Sequence, residues 1–232
     1  MTKVLTLTKT FGIALFGILF VLGSTTIWHF AQWRESPLAL SDATTYEIAK
    51  GSGAYQIISE LSERGIVTQA LYFRVLIELT QTTNHLKAGE YKLLPGVSPA
   101  ELLTKFARGD VIQHKVTIVD GITVSELLGQ LNGDPRLERL PVAVNAANLA
   151  AYLSLSIPFV EGYFLPDTYQ FERDASVATL LIRAHQAMTQ TLADIWVQRD
   201  KSQLSHLGNR EALLTLASII EKETGRTEER GQ

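Results

Sequence analysis

An uncharged apolar stretch near the N-terminus is the feature that most constrains how this chain can fold. Residues 12–30 read GIALFGILFVLGSTTIWHF and contain no Asp, Glu, Lys or Arg. As an α-helix this stretch would span roughly 30 Å, the thickness of the hydrocarbon core of a bilayer. Lys3 and Lys9 precede it, and Trp28 and Trp33 stand where an aromatic belt is expected. The sequence therefore predicts a transmembrane helix over residues 11–31, with residues 1–10 in the cytoplasm.

A cleaved signal peptide is the alternative interpretation of this stretch. Its strongest apolar block, residues 11–23, has the length of a signal-peptide core. Two positions offer the small-residue pattern that precedes a cleavage site, and neither is good. Val21-x-Gly23 is only acceptable, and His29-x-Ala31 is unfavourable. We therefore prefer an uncleaved anchor. Both interpretations place the body of the protein outside the cytoplasm.

Composition excludes several classes of protein and site. The chain has 232 residues and 46% hydrophobic residues, which is enough for a substantial core. The formal net charge of -3 comes without a basic stripe, so we expect no nucleic-acid partner. The absence of cysteine excludes disulfides, thiolate nucleophiles and lipoprotein acylation. The five histidines are scattered without metal-ligand spacing, so we expect neither a metal nor a cofactor.

A pattern of strand, glycine turn and helix follows a polar linker at residues 32–44. The predicted strands cover residues 46–50, 91–95 and 116–120, and they run into Gly51, Gly96 and Gly121. Those glycines indicate chain reversals that need a positive φ. Two of the helices that follow begin with capping boxes, Ser98-x-x-Glu101 and Thr123-x-x-Glu126. A further amphipathic helix is predicted over residues 71–79, so residues 45–132 read as a small α+β module.

The remainder of the chain, residues 133–232, reads as mainly helical. Residues 145–155 are a candidate helix, and Ser176 opens a longer one whose apolar residues lie on one face as far as Trp196. Asn209 is placed to cap a last helix, whose apolar run ends at Glu221. The predicted fold class is therefore α+β, with a transmembrane helix, a small α+β module and a mainly helical domain.

Two short segments concentrate the residues that could carry chemistry. Residues 161–169 read EGYFLPDTY, and residues 216–224 read LASIIEKET. A carboxyl group beside Ile and Ala side chains is costly to ionise, so its pKa rises and it can donate a proton near neutral pH. At 100° per residue, Glu221 falls near Leu214 and Ala217, and Glu223 falls on a different face. Periodicity alone does not choose between the two acids, and both could be solvated carboxylates at a helix end.

These two segments, with LKAGEY at residues 86–91 and VTIVDG at residues 116–121, resemble the endolytic murein transglycosylases, the MltG or YceG-like family. The resemblance implies a membrane anchor, then a LysM-like module (residues 45–132), then a catalytic domain (residues 133–232) whose C-terminal part is missing from this sequence. It also implies that Glu221 is the catalytic acid/base.

The activity that the resemblance implies is cleavage of the β-1,4 bond between N-acetylmuramic acid and N-acetylglucosamine within glycan strands, which leaves 1,6-anhydro ends. Peptidoglycan strands would be the substrate and peptidoglycan synthases candidate partners. The location would be the bacterial inner membrane, with the main body in the periplasm. The expected substrate-binding residues are Glu161, Tyr163, Asp167, Tyr169 and Glu223. A turn held by Pro166 and Asp167, with core aromatics, explains residues 161–169 equally well. The rival function is a membrane-anchored, peptidoglycan-binding scaffold without catalysis.

Overall fold

The computed structural model describes residues 2–200, 202, 204 and 207–223, and side chains from residue 15 to residue 220 within those ranges. The fold is mixed α and β, which confirms the predicted class at that level. The chain divides into two compact units, Met1–Ile112 and Gln113–Gln232. The third strand–turn–helix repeat, which the sequence pattern groups with the first two, therefore lies in the second unit.

The first unit contains four helices and two strands in its described residues. They are α1 (Thr2–Glu35), β1 (Thr44–Ile48), α2 (Ala54–Glu63), α3 (Ala70–Leu79), β2 (Gly89–Leu93) and α4 (Pro99–Arg108). The strands β1 and β2 are antiparallel, with Thr44 opposite Leu93 and Ile48 opposite Gly89. Each strand begins about two residues earlier than predicted, because residues 49–50 and 94–95 already belong to the turns.

An aromatic cluster fills the centre of the first unit. Tyr46 and Tyr91 face each other across the two strands, and the ring centroid of Phe106 lies 5.8 Å from the first and 4.8 Å from the second. All three side chains have no exposed surface. The Tyr91 hydroxyl donates to the Lys87 carbonyl at 2.7 Å, so the buried phenol is satisfied. The predicted capping box at Ser98 is present and starts α4, which delivers Phe106 to this cluster.

The helix α1 is longer than the predicted transmembrane segment. Within the described residues it is the one helix long and apolar enough to cross a membrane, over Leu15–Glu35, and this makes it a candidate anchor. It continues unbroken to Glu35, so the predicted linker begins in fact after that residue. The sequence placed Trp33 where an aromatic belt is expected. Trp33 is buried against Tyr72 and Phe73 of α3 because the end of α1 packs on the first unit.

The second unit is built around a two-stranded antiparallel sheet and a long helix. Its elements are β3 (Gln113–Thr117), α5 (Val124–Gly133), β4 (Leu137–Glu138), α6 (Leu149–Tyr152), β5 (Thr168–Glu172), β6 (Ala175–Ser176), α7 (Val177–Gln198) and α8 (Arg210–Glu223). β3 pairs with β5, placing Gln113 opposite Glu172, and β4 pairs in parallel with β6.

Several predictions for the second unit hold and others need correction. Ser176 caps α7 through a bond from the Ala178 amide, and the Asn209 carboxamide oxygen accepts from the Ala212 amide at 2.8 Å in the first turn of α8. The helix predicted over residues 145–155 is only the single turn α6, because Asn145 and Asn148 bond to neighbouring backbone groups and form turns instead. The apolar stripe of α7 is buried only in its first half.

A short ion pair fixes the turn between α5 and β4. The Arg136 guanidinium donates to both carboxylate oxygens of Asp134, at 2.9 and 2.6 Å, and stacks over the Phe171 ring. These bonds hold the pKa of the Asp134 carboxyl below its usual value. The Arg136 carbonyl in turn accepts from the Asp174 amide at 2.9 Å, which joins β4 to the turn before β6.

Candidate functional site

A cavity of about 490 Å³ in the second unit is the best-formed candidate site among the described residues. Five segments line it: the turn between β3 and α5, the start of α5, the loop between α6 and β5, one residue of α7, and one face of α8. Its apolar wall includes Phe159, Tyr163, Phe164, Met188 and Leu214. This combination of aromatic wall and convergent polar groups is typical of ligand-binding clefts.

Glu161 lies at the edge of this cavity and caps α5. Both carboxylate oxygens lie 3.1 Å from the backbone nitrogen of Val124, the first residue of that helix. An anion at a helix N-terminus satisfies an orphan amide and interacts favourably with the helix dipole. Glu161 therefore ties the 161–164 turn to the start of α5. Of the residues predicted to bind substrate, Glu161 is the first that the structure places at the cavity.

Gly162 lies where the same turn comes near α8. Its φ of +78° is a conformation that side-chain-bearing residues rarely adopt. A Cβ atom at this position would also lie 3.6 Å from the Ser218 hydroxyl and 3.8 Å from the methyl groups of Leu214. A Cβ atom would therefore meet α8 at ordinary van der Waals distances, so the backbone conformation, and not the available space, favours glycine here. The 161–164 segment lies close to the middle of α8.

Tyr163 is the second predicted residue that lines the cavity. It is buried, and its ring packs against Phe159 and His185 at centroid distances of 5.7 and 6.1 Å. The imidazole Nδ1 of His185 lies 3.1 Å from the Tyr163 carbonyl, which fixes the backbone there. Burial, and to a lesser extent the Glu211 carboxylate, raises the pKa of the Tyr163 hydroxyl. The phenol therefore stays protonated at neutral pH.

Asp167 and Tyr169 stand apart from the cavity lining. The Asp167 carbonyl accepts from the Ile118 amide at 3.0 Å and its carboxylate from the Thr168 amide at 2.6 Å, so it supports the start of β5. Tyr169 is buried in β5, and its hydroxyl donates to the Leu165 carbonyl at 2.8 Å. Burial raises the pKa of Tyr169, Asp167 adds to the effect and Arg183 opposes it. These contacts are those of a structural turn and a core aromatic.

Glu221 and Glu223 belong to α8, but their side chains lie outside the described residues. Their helical positions can still be compared. Leu214, Ala217 and Ser218 line the cavity, and position 221 follows them by seven, four and three residues. In an α-helix such positions share one face. Position 223 shares a face with Ile219 and Ile220 instead, and both of those side chains are exposed.

The charged side chains among the described lining residues of the cavity are all acidic. Asp120, Glu161 and Glu211 line it, and the described lining residues include no Lys, Arg or His. Sequence reasoning did not single out Asp120 or Glu211 as site residues. Asp120 stands in the turn between the strand and the helix of the third repeat, and Glu211 stands in the first turn of α8. Neither position carries a local signal that α8 folds back onto the β3–α5 turn.

The described residues show no cluster of three or more His, Cys, Asp or Glu side chains that could hold a metal ion. The three acids of the cavity come from different elements and are joined to backbone amides or solvent-exposed. The arrangement suits recognition of a neutral, hydroxyl-rich ligand, with aromatic faces for packing and carboxylates as hydrogen-bond acceptors.

Comparison with known proteins identifies the family of this chain. The sequence profile of the YceG-like family matches residues 46–232. The chain belongs to the YceG-like family, and the predicted family is thereby confirmed.

Two curated relatives from Streptococcus pneumoniae, strains D39 and R6, bear the name endolytic murein transglycosylase. They are 28% and 29% identical to this chain in alignments 215 positions long, which cover 80% of the chain. The chain spans 38% of the length of each relative. A crystal structure of a protein described as YceG-like from Listeria monocytogenes is 22% identical, covers 82% of this chain and 67% of its own, and superimposes with a TM-score of 0.34.

The role of Glu161 as a helix cap can be tested by substitution. We expect Glu161→Ala to lower the free energy of unfolding by about 1 kcal/mol, because the Val124 amide loses its acceptor. Glu161→Gln should recover most of that loss, since its amide oxygen can still accept. Urea unfolding followed by circular dichroism measures both, with Glu172→Ala as the exposed-acid control. An Ala variant as stable as the wild type would show that the cap contributes nothing.

Proposed function

We propose that this chain carries the active-site region of a peptidoglycan lytic transglycosylase that cleaves within glycan strands, with Glu221 as its catalytic acid/base. One observation carries the proposal: position 221 shares a helical face with Leu214, Ala217 and Ser218, which line the cavity. The family membership and the names of the two streptococcal relatives support the same class of activity. Glu223, on another face, is a neighbour that binds or tunes rather than reacts.

The environment of the cavity supports a carboxyl group that rests in its protonated form. Asp120, Glu161 and Glu211 provide negative charge around the cleft, and Phe159, Phe164 and Leu214 provide apolar walls. Like charges and reduced solvation both disfavour ionisation of a further carboxyl group. A protonated Glu221 would then be available as a general acid near neutral pH.

The proposed reaction needs one such group. Glu221 donates its proton to the glycosidic oxygen as the bond from that oxygen to muramic C1 breaks, and positive charge develops at C1. The Glu221 carboxylate next accepts the proton of the C6 hydroxyl of the same muramic residue, whose oxygen bonds to C1. A 1,6-anhydro ring and a free 4-hydroxyl on the released N-acetylglucosamine result, without water. Because the nucleophile is intramolecular, no second carboxylate is needed to activate it.

Glu161 and Tyr163 are the proposed substrate contacts that lie at the cavity. Tyr163 and Phe159 offer ring faces for sugar packing, and the acidic rim offers acceptors for sugar hydroxyl groups. Asp167 and Tyr169, proposed in the same role from the sequence, would act through the loop that they support. The LysM-like character of residues 45–132, of which residues up to Ile112 lie in the first unit, and an association with peptidoglycan synthases also remain proposals.

Digestion of purified glycan strands tests the proposed function. Mass spectrometry of the products should show new 1,6-anhydromuramic ends that carry no label when the reaction runs in heavy-oxygen water. Labelled reducing ends would indicate an ordinary hydrolase instead. Sedimentation of the chain with glycan strands without any new ends would favour the scaffold function and contradict the enzymatic one.

We further propose that α1 anchors the protein in the inner membrane, with the N-terminus in the cytoplasm and the remainder in the periplasm. The candidate span Leu15–Glu35 supports an anchor, and Lys3 and Lys9 support that orientation. Alkaline washing of membranes from a producing cell should leave the full-length chain in the pellet. Recovery of a shortened chain in the supernatant would indicate signal cleavage.

A further inference from the structure

The helix α3 exposes an apolar stripe that the fold of the first unit leaves uncovered. Leu71, Val75 and Leu79 are 70%, 39% and 69% exposed. They are spaced four residues apart, so they form one continuous row along the helix. The opposite face of α3 is buried through Phe73, Leu76 and Ile77. An uncovered row of large apolar side chains of this kind marks an interaction surface.

The edge of α3 beside this stripe packs on the C-terminal part of the candidate membrane helix. The Tyr72 ring lies 5.7 Å from His29, 5.6 Å from Phe30 and 5.5 Å from Trp33, measured between ring centroids. On a helical wheel, Tyr72 is about 20° from Leu79 and about 60° from Val75. The stripe therefore adjoins the side of α3 that contacts α1.

The other edge of the stripe is polar and faces the rest of the first unit. The Arg74 guanidinium lies over the Tyr55 ring, 4.3 Å from its centroid, and the Tyr55 hydroxyl donates to the Glu78 carboxylate at 2.7 Å. α3 is thus apolar towards α1 and polar on the side away from it. The apolar stripe can therefore enter the interface of a bilayer while the charged groups beside it stay in water.

The contacts to α1 also set the depth of α3. His29 and Phe30 end the uncharged stretch of residues 12–30, which matches the thickness of the hydrocarbon core. The outer boundary of the hydrocarbon then lies close to Phe30. Tyr72, packed against that residue, lies at the level of the lipid headgroups, where Tyr and Trp are enriched in membrane proteins.

We propose that Leu71, Val75 and Leu79 insert into the outer headgroup region of the same bilayer that α1 spans, so that α3 holds the first unit against the membrane surface. The proposal rests on the anchor role of α1. A bilayer is favoured over a second copy of the chain, because the α1 contacts fix α3 at membrane depth whether or not another chain is present. The first unit would then contact the membrane surface directly and would not be joined to it only by a flexible linker.

Because the chain has no cysteine, single-cysteine variants can be spin-labelled without further substitution. We would label Val75→Cys and Leu79→Cys in the full chain, reconstituted in phosphatidylethanolamine–phosphatidylglycerol vesicles. Leu19→Cys serves as the reference within α1, and Ser62→Cys as the exposed control on α2. Power saturation compares accessibility to lipid-soluble oxygen with accessibility to a water-soluble nickel chelate.

We expect oxygen to exceed nickel accessibility at positions 75 and 79, less strongly than at position 19, and the reverse at position 62. If accessibility to the nickel chelate exceeded accessibility to oxygen at positions 75 and 79 but not at position 19, the docking of α3 would be overturned and the anchor would stand. If it did so at position 19 as well, both the docking of α3 and the anchor role of α1 would be overturned. Short label-to-label distances at position 75 that disappear on dilution with unlabelled chain would identify a second copy as the occupant and also overturn the proposal. Circular dichroism confirms that each variant is folded.

Discussion

Glu221→Gln is expected to reduce the rate at which 1,6-anhydro ends form by about 10²- to 10⁴-fold, the usual contribution of a general acid/base group. Gln has nearly the same shape as Glu, so packing around α8 should be retained. It cannot deliver a proton to the glycosidic oxygen or accept one from the C6 hydroxyl. Both steps of the proposed reaction therefore lose the same group. The measurement is the initial rate of end formation by mass spectrometry.

Glu223→Gln is the matched control for this experiment, because it makes the same chemical change on the same helix two residues away. We expect it to change the rate by less than about tenfold, since position 223 does not share the face of the cavity-lining residues. Unfolding midpoints of both variants should match the wild type. Equal losses in the two variants, or full activity in Glu221→Gln, would show that the assignment of the acid/base is wrong.

The local features of the fold were largely predictable from the sequence, because they depend on neighbouring residues. The capping boxes at Ser98 and Thr123 are formed as predicted, and Gly51 and Gly121 adopt positive φ. Each of these is a short-range constraint of backbone geometry and side-chain hydrogen bonding. The prediction failed over residues 145–155, the candidate helix, because the two asparagines there favoured turns.

The arrangement of the candidate site was less predictable, because it depends on contacts between distant parts of the chain. The 161–169 segment was singled out as a whole, yet Glu161 and Tyr163 line the cavity while Tyr169 packs in the core. The burial of Tyr169 follows from the pairing of β5 with β3 about fifty residues earlier, and that pairing has no local signature. Asp120 and Glu211 were missed for the same reason.

The third repeat shows how a sequence pattern can fail to specify a packing partner. Its strand, turn and capped helix resemble the first two repeats, and on that basis it was grouped with them. In the structure β3 pairs with β5, and the first amide of α5 is bound by Glu161. Both contacts lie within the second unit. The third repeat thereby supplies one wall of the cavity. Its role depends on its contacts with β5 and Glu161, which the repeat pattern itself does not predict.

Phe106→Ala is expected to have the largest effect on stability, a loss of about 3–5 kcal/mol in the free energy of unfolding of the first unit. The Phe106 ring is fully buried between Tyr46 and Tyr91, so truncation leaves a cavity at the centre of the aromatic cluster. Small domains are stable by about 5–15 kcal/mol, so this loss could unfold the unit. Phe106→Leu, which fills part of the space, should retain the fold and show a smaller loss.

Urea unfolding in detergent micelles measures these differences, and Leu94→Ala serves as the control because Leu94 is a half-exposed residue of the same unit. The control should lie within about 0.5 kcal/mol of the wild type. Each unit has its own buried cluster, so hydrogen exchange in Phe106→Leu should accelerate in β1, β2 and α4 while α7 keeps its protection. Uniform acceleration throughout both units would mean that they unfold as one cooperative body. A Phe106→Ala variant as stable as the Leu94→Ala control would contradict the central role of the aromatic cluster.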